Sequence, residues 1–235
     1  MHKSAERRLV MNTTRKIGIY NNKGGVAKTT SVINLAYAFA KKGKRILVVD
    51  CDYQENCFSF FFSNQSTKGI FDTDYDGISH ITWEKYTSLD VDTNINEFDY
   101  VIFDLPPALS EEVKLIIQHL DAVYVPTMLG EFEIQGLTKV TDEINRQGTK
   151  LGGIFITMFQ AKNDKELIDE FRNVLKERLM QSVIPYSTTV RESQKAGLPI
   201  EAYFIERNVP NIGTSWKIVN AYESLPDEIL KEVEA

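Results

Sequence analysis

Asn22-Lys23-Gly24-Gly25-Val26-Ala27-Lys28-Thr29-Thr30 is the stretch on which the reading of this chain turns. A short strand-like run, Lys16 to Tyr20, leads into it. Val32, Ile33, Leu35, Ala36, Phe39 and Ala40 follow at helical spacing until Gly43 closes the helix. Glycines between a strand and a helix let successive backbone N–H groups turn toward one centre. The helix N-terminus adds a partial positive charge there and a lysine adds a full one, so a polyphosphate is cradled. Thr29, one residue after Lys28, is placed to bind Mg²⁺. The pattern is a deviant P-loop: the ordinary form has glycine where this chain has Asn22 and Ala27, and a second lysine stands at 23. A plain glycine turn would explain the glycines, but it gives no packing purpose to the lysine and the paired threonines.

Outward from the loop, helical and strand periods alternate. Ile46 to Val49, Tyr100 to Phe103, Ala122 to Val125 and Ile154 to Thr157 are continuous apolar runs, the signature of strands buried on both faces of a parallel sheet. Helical patterns lie between them at Glu111 to Leu120, Glu133 to Asn145 and Lys165 to Met180. The expected fold is therefore α/β, a doubly wound, mostly parallel sheet with helices on both faces and right-handed crossovers. The expected organisation is a flexible N-terminal arm over 1–15 and a single P-loop domain over 16–235. The stretch from Phe58 to Asn96 is the least regular and reads as an insertion over one sheet edge.

The composition of the 235 residues, 43% hydrophobic and 26% charged, is that of one soluble domain. No unbroken apolar run exceeds six residues, far short of the roughly 20 needed for a membrane span. The basic first sixteen residues have no signal-peptide core. Two cysteines, Cys51 and Cys57, make no disulfide framework, and His2, His80 and His119 have no metal-ligand spacing. A reducing, cytoplasmic setting is expected. The formal net charge of −6 argues against a surface that is basic throughout, though it allows a local basic patch.

Two strands end in carboxylates: Asp50-Cys51-Asp52-Tyr53-Gln54 after one, Asp104-Leu105-Pro106-Pro107 after another. In a parallel sheet all carboxyl ends lie along one edge, the edge that also presents the P-loop. Asp50, Asp52 and Asp104 should therefore converge on the phosphates and the metal.

Lys23 to Thr30 resembles the KGGxxKTT loop of the ParA family of DNA-partitioning ATPases, within the deviant Walker class that includes MinD. Asp50 to Gln54 resembles that family's DxDPQ motif, and Phe98 to Pro107 its YDYIIIDxPP strand. Ile156 to Phe159 and Val190 to Ser193, leading to Gly197-Leu198-Pro199-Ile200, are similar to later family segments. Departures are Tyr53 in place of proline, and Met128 with Gly130 where a glutamine and a glutamate are common. The likeness is to the short type, without a helix-turn-helix domain ahead of the loop.

The resemblance implies ATP and Mg²⁺ as cofactors and ATP hydrolysis as the reaction. Lys28 holds the β and γ phosphates, and Thr30 with the backbone of Gly24, Gly25, Val26, Ala27 and Lys28 holds the remaining oxygens. Thr29 holds the metal, Asp50 and Asp104 act through its water shell, and Asp52 positions the attacking water. Lys23 reaches the phosphates bound in a partner subunit, so ATP and homodimerisation are linked. Met158 and Pro210 are candidate walls for adenine. Arg191 and Lys195 are candidate contacts for non-specific DNA. The further implications are a nucleoid-associated protein, for plasmid or chromosome partition, whose hydrolysis is stimulated by a ParB-like partner. No arginine finger is evident, so hydrolysis alone is expected to be slow.

Plainer readings stand beside several features. Asp72 to Gly77 copies half a calcium loop, but position twelve falls on Trp83. Cys51 reads as a small hydrophobe rather than a redox switch, and Phe60 to Phe62 as core. A MinD-like membrane-cycling ATPase is the alternative function. It calls for a basic amphipathic C-terminal helix, whereas Pro226 to Ala235 is acidic, so stable membrane association is not expected. A reductase resembling nitrogenase iron protein would need interface cysteines, and Cys51 and Cys57 lie in the wrong region.

Overall fold

The structure, a computed structural model, describes residues 14–52, 70–88, 95–130, 132–211 and 215–234. The expected arm up to residue 13, and Tyr53, Gln54, Cys57 and Phe60 to Phe62, lie outside the described residues. In chain order the elements are β1 (Arg15–Ile19), α1 (Lys28–Lys41), β2 (Ile46–Asp50), β3 (Phe71–Asp72), β4 (Ile78–Thr82) and α2 (Trp83–Ser88). Then come β5 (Tyr100–Asp104), α3 (Glu111–Gln118), β6 (Ala122–Thr127), α4 (Glu133–Arg146), β7 (Lys150–Phe159) and α5 (Lys165–Leu175). The chain closes with β8 (Leu179–Pro185), α6 (Thr189–Ala196), α7 (Ile200–Glu206) and α8 (Lys217–Glu234).

Eight strands form one sheet in the order β3-β4-β2-β5-β1-β6-β7-β8, parallel except for the β3–β4 pair. The continuous apolar runs are explained by burial on both faces. Leu47, Val49, Val101, Phe103, Ile154 and Ile156 join one core cluster with α3, α4 and α5. Their neighbours Ile46, Val48, Ile102 and Phe155 join a second cluster with α1 and α8. Each fully buried aliphatic side chain contributes about 1.5–3 kcal/mol, so a charge at a two-sided strand position such as Val101 would abolish the fold. The doubly wound expectation holds. β1 lies between β5 and β6, where the connections switch direction, and this opens the crevice in which the P-loop sits.

Two local expectations are corrected. The helix over Lys165 to Met180 stops at Leu175. Lys176 takes φ +49, Lys176–Arg178 form a 3₁₀ turn, and Leu179 and Met180 already belong to β8, paired with β7. The described part of the Phe58 to Asn96 stretch does not lie over the sheet edge but extends it, since β4 pairs parallel with β2 along its whole length. The Asp72 to Gly77 segment is the last residue of β3 and the turn that leads to β4. There the Thr73 hydroxyl accepts from the Tyr75 N–H, Gly77 takes φ +82, and Asp72 accepts from the Ser79 hydroxyl.

Candidate functional site

Strand register assembles the site. Asp50 and Asp104 are paired neighbours on β2 and β5, and Asp104 is also level with Ile19 at the end of β1. The P-loop leaves that same end. Asn21 anchors it, donating to the Pro126 carbonyl on β6 (2.9 Å) and accepting from the Lys23 N–H (3.0 Å). Thr157 on β7 donates to the carbonyls of Val26 and Thr127. Gly25 at φ +74 takes a conformation that suits glycine, and a Cβ on Gly24 or Gly25 would meet nothing within 4 Å, so the cradle is open. Ala27, where an ordinary P-loop has glycine, keeps the glycine-like conformation at φ 63 and caps α1. The first turn of α1 carries no acidic residue, leaving its positive end to an anion.

The two lysines of the loop diverge. Lys28 turns inward, is buried, and donates to the Lys23 carbonyl at 2.8 Å. Burial lowers its pKa, and the charges of Asp104 and Asp52 oppose that. Lys23 turns outward. Its Nζ pairs with Glu133 Oε1 at 2.9 Å, with the lysine side chain 39% exposed and the glutamate 23%. Its stem runs along α4, where a Cβ on Gly136 would stand 3.4 Å from Lys23 Cε.

Asp104 is wholly buried. Desolvation pushes its carboxyl up to about 7, with Asp50 and Asp52 adding to the rise and the Thr29 hydrogen bond and Lys28 opposing it. Its Oδ2 is buried without a hydrogen-bond partner. A divalent cation would supply the missing charge. The donor set at hand, the Thr29 hydroxyl with the Asp50 and Asp104 carboxylates, is all oxygen, as Mg²⁺ prefers. Among the described residues no group of three His, Cys, Asp or Glu could hold a metal ion. Asp52, half-buried, has its backbone N–H on Asp50 Oδ1 at 3.1 Å. Cys51 is buried and its thiol is pushed well up, first by desolvation and then by the surrounding carboxylates. It stays a protonated, inert side chain.

Beside the loop lies a cavity of about 260 Å³, lined by Ala27, Thr30, Met158, Tyr186, Arg191 and Tyr222 among others. Met158, at φ 54, is one of its walls. Pro210 is not: it is exposed in the loop after α7 and absent from the lining. Arg191 and Lys195 are exposed one turn apart on α6, and Arg191 also faces the cavity. Sequence reading missed Glu133, Thr157, Asn21 and Gln194. Gln194 lies just beyond the quoted Val190 to Ser193 segment, and its amide donates to the Thr30 hydroxyl at 3.0 Å.

Comparison with known proteins agrees with this geometry. Residues 17–200 match the family model of the CobQ/CobB/MinD/ParA nucleotide binding domain. The chromosome partitioning protein ParA of Myxococcus xanthus is 29% identical over 234 residues, covering 82% of this chain and 82% of the relative. The chromosome-partitioning ATPase Soj of Thermus thermophilus is 26% identical, covering 94% of this chain and 97% of the relative. Among solved structures, Pyrococcus horikoshii MinD complexed with Mg-ADP aligns with a TM-score of 0.72 at 19% identity, covering 94% of this chain and 99% of that one; at this identity the likeness shows the fold. The matched span takes in the P-loop, the strands that carry Asp50 and Asp104, and α6, and this chain belongs to the CobQ/CobB/MinD/ParA family of nucleotide-binding domains.

Proposed function

We propose that this chain is a ParA/Soj-type partitioning ATPase that hydrolyses ATP to ADP and phosphate and uses ATP to dimerise. The observation that carries the reading is the divergence of the two loop lysines. Lys28 is committed to its own cradle, while Lys23 stands at the rim, held by one partly exposed ion pair. A cation so placed is available to phosphates bound in a second copy, and two such lysines neutralise two sandwiched nucleotides in trans. Within each subunit Lys28, Thr30 and the N–H groups of Gly24 to Lys28 bind the phosphates. Bound Mg²⁺ would supply neutralisation of the charge that develops on the phosphate oxygens. Thr29, Asp50 and Asp104 would hold the shell of that ion, and Asp52 is placed to orient the water that attacks the γ-phosphorus. Met158 faces the base. Pro210 is exposed and lies outside the cavity lining.

The finer reading follows the names of the chromosome-partitioning relatives. The ATP dimer presents two copies of Arg191 and Lys195 to DNA phosphates, without sequence preference, in the cytoplasm at the nucleoid. A ParB-like protein accelerates hydrolysis and releases the dimer. The membrane-cycling reading finds less support. Among the described residues no helix is long and apolar enough to cross a membrane, and the apolar face of α8 is spent internally, with Ile218, Val219, Tyr222, Leu225 and Ile229 buried in the core. The test is phosphate release from ATP together with DNA retention in ATP, ADP or no nucleotide across a salt series. The reading requires turnover below about one per second without a partner, loss of turnover in Lys28→Ala, and salt-sensitive DNA retention in ATP alone. Retention that ignores the nucleotide would refute it.

A further inference from the structure

Thr30 ties the P-loop to helices α6 and α7. Its hydroxyl accepts from Gln194 Nε2 on α6 at 3.0 Å. Its carbonyl accepts from Asn34 Nδ2 at 2.8 Å, and Asn34 Oδ1 accepts from the Ile200 N–H, which opens α7, at 2.9 Å. Both Asn34 contacts are buried. The unit from Thr189 to Glu206 is thus bonded to the phosphate loop through one residue, from two sides. Gln194 and Thr30 line the same cavity as Arg191.

A hydroxyl has one proton and two acceptor sites. With the Gln194 amide seated on one acceptor site, the Thr30 rotor is biased so that its single proton points elsewhere, and a nucleotide phosphate is the acceptor that comes to it. A phosphate that takes this proton polarises the hydroxyl and strengthens the bond from Gln194, since chained hydrogen bonds reinforce one another.

We propose that Gln194 is a positioning residue for the nucleotide site: it holds the Thr30 hydroxyl as a donor to phosphate, and through the same bond nucleotide occupancy fixes helix α6. This rests on the nucleotide-binding reading of the loop and needs nothing from the DNA reading. Because the contact is to a phosphate shared by ATP and ADP, both nucleotides are affected alike. Substitution with glutamate is informative. A carboxylate only accepts, so it draws the Thr30 proton away from the nucleotide and adds a negative charge beside it.

The experiment titrates fluorescent ATP and ADP analogues against the full chain and its Gln194→Ala and Gln194→Glu variants. Hydrogen exchange of residues 189–196 is read with and without ADP. Gln194→Ala should weaken both nucleotides by about 3- to 10-fold, the worth of one hydrogen bond. Gln194→Glu should weaken them more than alanine does at pH 7, with the excess shrinking as the pH falls toward 4 and the new carboxyl becomes a donor. ADP should slow exchange over 189–196 in the native chain and fail to do so in Gln194→Ala. Variants that bind as the native chain does and keep the ADP-dependent protection would overturn the positioning role while leaving the nucleotide site intact. A native chain that binds neither nucleotide would overturn both.

Discussion

Glu133→Gln should tighten the ATP-dependent dimer. Lys23 is held by Glu133 at 2.9 Å, and in the proposed dimer it gives up that partner to reach a nucleotide across the interface. The pair is partly exposed, 39% on one side and 23% on the other, so its worth lies near the upper end for surface ion pairs, about 1 kcal/mol. Glutamine keeps the shape and removes the charge. A dimer carries two such lysines, so the saving is about 2 kcal/mol, or about 30-fold in the dimer dissociation constant. The pair also places a negative charge at the start of α4, so a loss of up to about 1 kcal/mol in thermal stability accompanies the change. Sedimentation velocity over a concentration series, in ATP with hydrolysis blocked by Asp52→Ala in both proteins, reads the constant directly. A Glu133→Gln dimer no tighter than its parent, or weaker, would mean that Glu133 does not restrain Lys23, and the reasoning fails.

Three further outcomes follow. Asp52→Ala should bind ATP and dimerise with turnover below a hundredth of the native rate; lost ATP affinity would instead give Asp52 a structural role. In nucleotide-free, chelator-treated protein, the raised Asp104 carboxyl favours folding when protonated, so its contribution is full below about pH 4 and is lost as pH rises to about 7. His80, pushed down to about 4 by burial, acts oppositely, its contribution being lost as pH falls below about 6.5. The difference in melting temperature between the native chain and Asp104→Asn isolates the first effect, and it should grow in the variant's favour from pH 4 to 7. A flat difference would contradict the assigned burial. Ala27→Gly should raise the melting temperature slightly, since relief of the left-handed strain, about 1–2 kcal/mol, exceeds the added freedom of the unfolded chain, about 0.4–1; a fall of several degrees would show that Ala27 is not strained.

The loop and the aspartates were legible because their chemistry is local: glycines and lysines at fixed offsets, and carboxylates at the ends of buried strands that a parallel sheet must bring to one edge. The helix expected to run to Met180 failed for a local reason too. Ile168, Phe171, Leu175 and Leu179 continue a helical period, and all are buried. The break falls at Lys176, whose positive φ no residue type announced. Glu133 and Gln194 were invisible on other grounds. Their partners lie 110 and 164 residues away, and neither carries a motif of its own; only the packing of α4 and α6 beside the loop sets the distances. Met158, which the strand β7 carries, lines the cavity beside the loop. Pro210 does not line the cavity beside the loop; a proline among turn residues marks a loop without saying where the loop goes.

Dimerisation decides the proposal that Lys23 serves a second subunit rather than its own. Light scattering of the native chain and of Lys23→Gln, each with ATP, ADP and no nucleotide, and with ATP binding checked by titration, tests it most directly. The expected result is a native dimer in ATP alone, and a Lys23→Gln chain that binds ATP through Lys28 and stays monomeric. A Lys23→Gln chain that dimerises in ATP as the native one does would contradict it.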